Sequence, residues 1–308
     1  MSRYLAAPLL AAVVAACDRR PPPLPPVDVA VYRDSIQAFH ARRTNAIYGP
    51  EGWATLLGLW WLKPGETRLG AAPDNHIVLL SAAAPASVGS ILVEGDSARF
   101  VTAPGVRAAA DRVPGTITSL RLVSDLEPNW TRLRVGSLLL QHVVRNGRPG
   151  LRVKDTLHPA RFNHAPLDYF PTDTAFRIQA RFVPSATPDS LDIVSVLGNV
   201  TKMSVPGALH FPFGGREHRL LVIREPEDHS PNLFVMFRDP TNGKETYPAM
   251  RYTYVTPPDS LGRTVLDFNR SYNPPCAFTP AAICPFPPRG NELPFRVTAG
   301  ELKPAGHK

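Results

Sequence analysis

The chain has 308 residues, 44% of them hydrophobic and 19% charged, a composition that describes a folded body with a real core and excludes a disordered chain. Its 35 prolines argue against long helices, since proline inside a helix costs about 3 kcal/mol, so short strands and ordered loops are expected. The formal charge of +8 would suit nucleic acid or anionic lipid if it were focused on one face. Arg and Lys are instead spread singly, with Arg19-Arg20 and Arg42-Arg43 the adjacent pairs. Attraction of these pairs to a membrane surface is expected, and no nucleic-acid partner.

The first residues carry Arg3, then an apolar stretch over residues 5–16, then Val14-Ala15-Ala16-Cys17. Basic, apolar, then small is the order of a secretory signal. The apolar core falls short of the roughly 20 residues that a spanning helix needs, so residues 1–16 are expected to be removed. The small residues before Cys17 resemble a lipobox, which implies acylation of the Cys17 thiol. Stable anchoring takes more than one acyl chain, at about 0.8 kcal/mol per buried CH₂. The resemblance implies a lipoprotein of the cell envelope facing the periplasm or the exterior, and Asp18 hints at retention in the inner membrane.

Residues 17–28 hold Pro21-Pro22-Pro23 and Pro25-Pro26, a composition suited to an extended, semi-rigid tether. In residues 29–47, Val29, Tyr32, Ile36, Phe39 and Ile47 recur near helical spacing before Gly49-Pro50, which predicts one amphipathic helix packed on the body. A dense apolar block follows over residues 53–62. Short β-type runs then occupy residues 77–80, 90–93, 98–101, 119–122 and 133–135, bounded by Gly, Pro, Asp and Asn. Residues 29–148 are expected to be the helix plus a small β sandwich or barrel-like module. Thr67-Arg68-Leu69-Gly70 with Asn75-His76-Ile77-Val78-Leu79 resembles the opening strands of a forkhead-associated domain, although Ala71 stands where that family places its phosphate-reading arginine.

Residues 149–308 are expected to form a second β domain, with strand-like runs over 176–182, 193–197, 218–223 and 233–237. The fold class is therefore mainly β, an N-terminal helix followed by two β-rich modules. With Cys17 assigned to lipid, Cys276 and Cys284 remain, an even pair in an oxidising compartment. A disulfide stapling the C-terminal loop is the leading expectation, worth roughly 2 to 3 kcal/mol by loop-closure entropy. A metal at these thiols would need two further ligands, and no histidine sits nearby, so no metal and no cofactor are expected.

Chemistry is concentrated in the last quarter: Asp239-Pro240-Thr241-Asn242-Gly243, then Tyr247, Arg251, Tyr252, Asp267-Phe268-Asn269, Ser271-Tyr272-Asn273-Pro274-Pro275-Cys276, Cys284-Pro285, Asn291 and Glu301. The segments FRDPTNGKETYPAMRY, LDFNRSYNPPCAF and CPFPPRGNELPFRVTAGE, and more loosely GWATLLGLWWLKPGETRLGA, resemble the uncharacterised bacterial and archaeal family known as domain of unknown function 1684. The resemblance spans residues 45–305. Met250 departs from it, standing where the family has glycine. It implies a family and no reaction.

On a strand, Asp267 and Asn269 would face one side, and Arg251 would meet Asp267 as a bidentate pair if their strands are neighbours. Arg251, Asp267, Asn269, Tyr272 and Asn273 thus form a candidate site for a small polar or anionic ligand. The same residues would equally build a self-satisfied, stapled loop. A hydrolase using Asp239, Asp267 or Glu301 as acid or base with Arg251 holding an anion is an alternative, as is a protein-interaction scaffold on the first β module. Serine-elbow, zinc-helix, phosphate-loop and dinucleotide motifs are missing from the sequence.

Overall fold

The computed structural model describes residues 25–305, apart from positions 96, 146, 188 and 227. Cys17 and the signal and lipobox readings lie outside the described residues. Helix α1 (Val29–Tyr48) starts where the Asp28 side chain accepts the amides of Ala30 and Val31, satisfying donors that the first turn cannot pair. It ends at Gly49, whose amide bonds the Asn45 carbonyl. Tyr32, Ile36, Arg43 and Ile47 form its buried stripe, whereas Val29 is exposed.

Among the described residues, ten strands follow in the N-terminal module: β1 (Leu56–Trp61), β2 (Gly65–Gly70), β3 (Ile77–Val78), β4 (Gly89–Glu94), β5 (Ser97–Thr102), β6 (Ala108–Ala110), β7 (Ser119–Leu122), β8 (Leu133–Val135), β9 (Leu138–Arg145) and β10 (Arg148–Asp155). One sheet has the order β1-β10-β9-β8-β6 and the other β3-β2-β4-β5-β7. Side chains alternate between faces along a strand. Leu151 and Val153 of β10, Leu138 and Leu140 of β9, and Leu133 and Val135 of β8 therefore share a core with Leu69, Ile91, Val93 and Phe100 of the other sheet, as two packed sheets require. The opposite face of the first sheet carries Leu59 and Trp61 of β1 with Arg148 and Arg152 of β10. β10 pairs along its length with β9 and also with β1, so residues 148–155 lie within the first sheet.

Among the described residues, seven strands build the C-terminal module: β11 (Arg177–Pro184), β12 (Ser190–Val194), β13 (Val200–Phe213), β14 (Arg216–Arg224), β15 (Leu233–Phe237), β16 (Arg251–Val255) and β17 (Arg263–Asp267). The sheet order is β16-β15-β14-β13-β11-β17, with β12 paired to the first half of β13. The sheet curls so that its two end strands approach, and the Thr264 hydroxyl donates to the Thr256 carbonyl at 2.8 Å. Inside the curl lie Leu209, Phe211, Leu220, Val222, Val235, Phe237, Val255, Leu266 and Phe268. On the outer face, Met203, Ile223, Phe234, Met236 and Tyr252 are covered by Ala282 and Cys284 of the final segment.

The helix docks on this second module through polar groups. The Tyr32 hydroxyl donates to Asp267 at 2.8 Å and accepts from Asn269 Nδ2 at 2.9 Å. One turn from the other end, Arg43 reaches Glu301 at 2.7 Å and the Asn273 carbonyl at 2.6 Å.

Candidate functional site

The residues singled out in the last quarter converge, but into three separate hydrogen-bonded networks. Arg251 points into the end of the curled sheet over the Phe237 ring and is fully buried. Its Nη2 donates to Asp239 at 2.7 Å and to the Val297 carbonyl at 2.9 Å, and its Nη1 to the Ala299 carbonyl at 2.6 Å. The partner of Arg251 is thus Asp239, not Asp267 as the sequence suggested. The register explains it, since pairing of β15 with β16 sets Phe237 opposite Arg251 and brings Asp239, two residues on, within reach. Burial drags the Arg251 guanidinium down and Asp239 opposes this, as expected for a desolvated ion pair.

Asp267 ends β17 and caps the short 3-10 turn Phe268–Arg270 by accepting the Asn269 amide at 3.1 Å. The strand alternation assumed for Asp267 and Asn269 is therefore broken between them. They still share a target, because both bond the Tyr32 hydroxyl. Asn273 donates to Glu301 at 2.8 Å and to the Leu302 carbonyl at 2.7 Å. Glu301 is 0% exposed; burial raises its carboxyl, against the pull of Arg43 and Asn273. Gly300 allows this closeness: at φ 83° it sits where a Cβ would lie 2.5 Å from the Ser271 carbonyl oxygen, a conformation and a clearance open to glycine alone. The side chains of Asp239 and Glu301 are both 0% exposed.

Tyr272 behaves differently. It lines a cleft of about 860 Å³ between the two modules, within the roughly 300–1,000 Å³ typical of ligand sites. One wall is the outer face of the first sheet, with Leu59, Trp61, Arg145, Arg148 and Arg152. Gly150 keeps this wall low, since a Cβ there would already lie 3.2 Å from Leu59, Trp61 and Val143. The facing wall is Phe234, Tyr252, Tyr254 and Tyr272 with the segment through Cys284, and α1 contributes Phe39, Arg42 and Arg43.

Charge in this cleft is unbalanced. Arg42, Arg43, Arg145, Arg148 and Arg152 line it against Glu225 and Asp228, so the basic residues that looked dispersed in the sequence are gathered by the fold. Arg43 is engaged by Glu301, and Arg145 by Asp125 at 2.7 Å. Arg148 lies over the Trp61 ring at 4.8 Å and Arg152 over Trp53 at 5.5 Å, within cation–π range. Arg152 is half-buried, and among the described residues no carboxylate pairs with it. Its Nη1 has only a 3.4 Å contact to Gln141, and its Nε is buried without a hydrogen-bond partner. Burial, reinforced by the like charge of Arg145, pulls it down to about 10. Lys154, on the same face of β10 and held by the Glu51 carbonyl, is pulled down to about 8 by burial and then by Arg152.

Sequence reasoning found Tyr272 and missed the arginines. The available signal was period-two placement of Arg148, Arg152 and Lys154, which puts three cations on one face of a strand. Cys276 and Cys284 are both free thiols. The expected disulfide is not formed in the structure, yet the Cys276 amide donates to Cys284 Sγ at 3.2 Å. Among the described residues no group of three or more His, Cys, Asp or Glu side chains could hold a metal, and no helix is long and apolar enough to cross a membrane.

The sequence profile of the family described as Protein of unknown function (DUF1684) matches residues 162–302. An uncharacterized protein of Haloarcula marismortui, solved by NMR in solution, is 34% identical over 46% of this chain and 79% of that one, with a TM-score of 0.39. No curated protein matches.

Proposed function

Since the chain belongs to the DUF1684 family of proteins of unknown function, which brings no reaction with it, we propose that it binds a small anionic ligand with an aromatic or apolar body in the cleft between its modules. The observation that carries this reading is Arg152. A half-buried guanidinium without a carboxylate, with an orphaned Nε, is costly unless a negative group completes it. Trp53, Trp61, Tyr254 and Tyr272 would cover the ligand's flat or apolar portion while Arg148 and Arg152 hold its charge. In the same reading Cys17 carries the lipid, the residues after it form the tether, and the cleft works at the surface of the envelope membrane.

The test uses 1-anilinonaphthalene-8-sulfonate, which joins one sulfonate to an aromatic body and fluoresces when shielded from water. Saturable binding to the folded protein is expected, weakened at least about tenfold by Arg152→Ala, as loss of one charge-assisted contact implies. Raising salt should weaken it further. Binding that ignores both Arg152→Ala and salt would sink the proposal.

A further inference from the structure

The two thiols beside the cleft are unlike each other. Cys276 sits in the short 3-10 turn Pro275–Ala277 and is half-buried, while Cys284 is 1% exposed and borders the cleft wall. The Tyr247 hydroxyl donates to Cys276 Sγ at 3.6 Å. The Cys284 thiol and Tyr247 both favour the thiolate of Cys276 over the opposing effect of burial, whereas the interaction with Cys276 and then burial drive the Cys284 thiol upward. Each sulfur is also fixed by its flanking backbone. The Ala277 amide bonds the Pro274 carbonyl, the Val196 amide bonds the Cys284 carbonyl at 2.9 Å, and the Tyr252 hydroxyl bonds the Pro285 carbonyl at 2.7 Å. The pair therefore stays adjacent in the reduced protein.

We propose that Cys276 and Cys284 form a thiol–disulfide exchange site for low-molecular-weight disulfides, in which Cys276 attacks and Cys284 resolves. This goes beyond the anion-binding reading and stands without it. The half-buried sulfur, with the Tyr247 hydroxyl donating to it, is the nucleophile, and the more deeply buried Cys284, whose Sγ accepts the Cys276 amide, is the resolving thiol. The Cys276 thiolate attacks one sulfur of R–S–S–R, forming Cys276–S–S–R and releasing R–S⁻, which takes up the proton that Cys276 lost. Cys284 then gives up its proton and attacks the Cys276 sulfur, expelling the second R–S⁻, which is protonated in turn. Two protein thiols are oxidised to one disulfide and one external disulfide is reduced to two thiols. Fixed adjacency makes the second step intramolecular and fast.

Oxidised glutathione is the probe, on the full chain carrying Cys17→Ser so that two thiols remain. The parent protein should lose both thiols, hold no lasting glutathione adduct, and recover both thiols under native conditions with excess reduced glutathione. Cys284→Ser should trap one adduct on Cys276, at a rate at least about tenfold above that of Cys276→Ser. Tyr247→Phe should move the pH midpoint of Cys276 alkylation upward. Equal adduct rates in the two serine variants would overturn the assignment of roles. A disulfide that regains its thiols only after unfolding would make the pair a structural crosslink and overturn the exchange site. Should a serine variant misfold, native iodoacetamide labelling of the parent with peptide mapping decides, because the proposal requires Cys276 to react at least about tenfold faster than Cys284.

Discussion

Arg251 shows how a residue can look like a ligand-binding group and serve as a rivet. Both it and Asp239 have side chains 0% exposed, and between them they tie β16 to the turn after β15 and to the Val297 and Ala299 carbonyls. Removing one member of such a pair leaves the other charge buried and alone, at a cost of about 3–5 kcal/mol. Arg251→Ala should lower stability by that amount in urea unfolding, with the Arg152 cleft unaltered if the protein is kept below its transition. A loss below about 1 kcal/mol would mean that the Asp239 carboxylate finds water. The identity of Arg251 as a special residue was legible in the sequence; its partner was not, because pairing depends on strand order rather than on spacing.

At the level of elements, α1 is the clearest case of partial legibility. Helical spacing over residues 29–47 anticipates the observed Val29–Tyr48. Hydropathy could not show that Arg43 shares the buried stripe, because its burial depends on Glu301 and the Asn273 carbonyl, far away in sequence. Likewise β4, β5, β7, β8 and β15 coincide with apolar runs, whereas β10, whose cleft face carries Arg148, Arg152 and Lys154, was not legible as a strand and its hairpin with β9 was missed. The docking of α1 leans on the Tyr32 hydroxyl. Tyr32→Phe removes a donor from the buried Asp267 and an acceptor from Asn269, a change worth about 1–3 kcal/mol. Hydrogen exchange of the α1 amides should speed up while the strands of the N-terminal module keep their protection. Unchanged exchange in α1 would show that Ile36, Ile47 and the Arg43–Glu301 pair hold the helix without the Tyr32 hydroxyl.

For the whole molecule, the junction between modules is where stability and the proposed function meet. Trp53 opens the N-terminal module, packs on the outer core of the C-terminal one, and lies under Arg152 and Lys154. Trp53→Ala, at about 3–5 kcal/mol for a large aromatic truncation, should split unfolding into two transitions, seen as non-coincident curves from far-ultraviolet circular dichroism and tryptophan fluorescence. Coincident curves would mean that the modules are coupled elsewhere. Both β modules were expected from the sequence. The cleft between them was not, since it is made by juxtaposing strands whose residues lie as far apart as Arg148 and Tyr272.

The docking of α1 also sets an order in time. The helix is synthesised before either β module, yet Asp267, Asn269, Asn273 and Glu301, its polar partners, lie at least 230 residues further along the chain. A growing chain must carry the Tyr32 side of this face unpaired until Asp267 and Asn269 have emerged, and the Arg43 side until Glu301 has. A ribosome stalled short of Glu301 would hold a chain whose Arg43 has no carboxylate to meet, so the helix is locked at both ends only after the polar turns of the C-terminal module have been made.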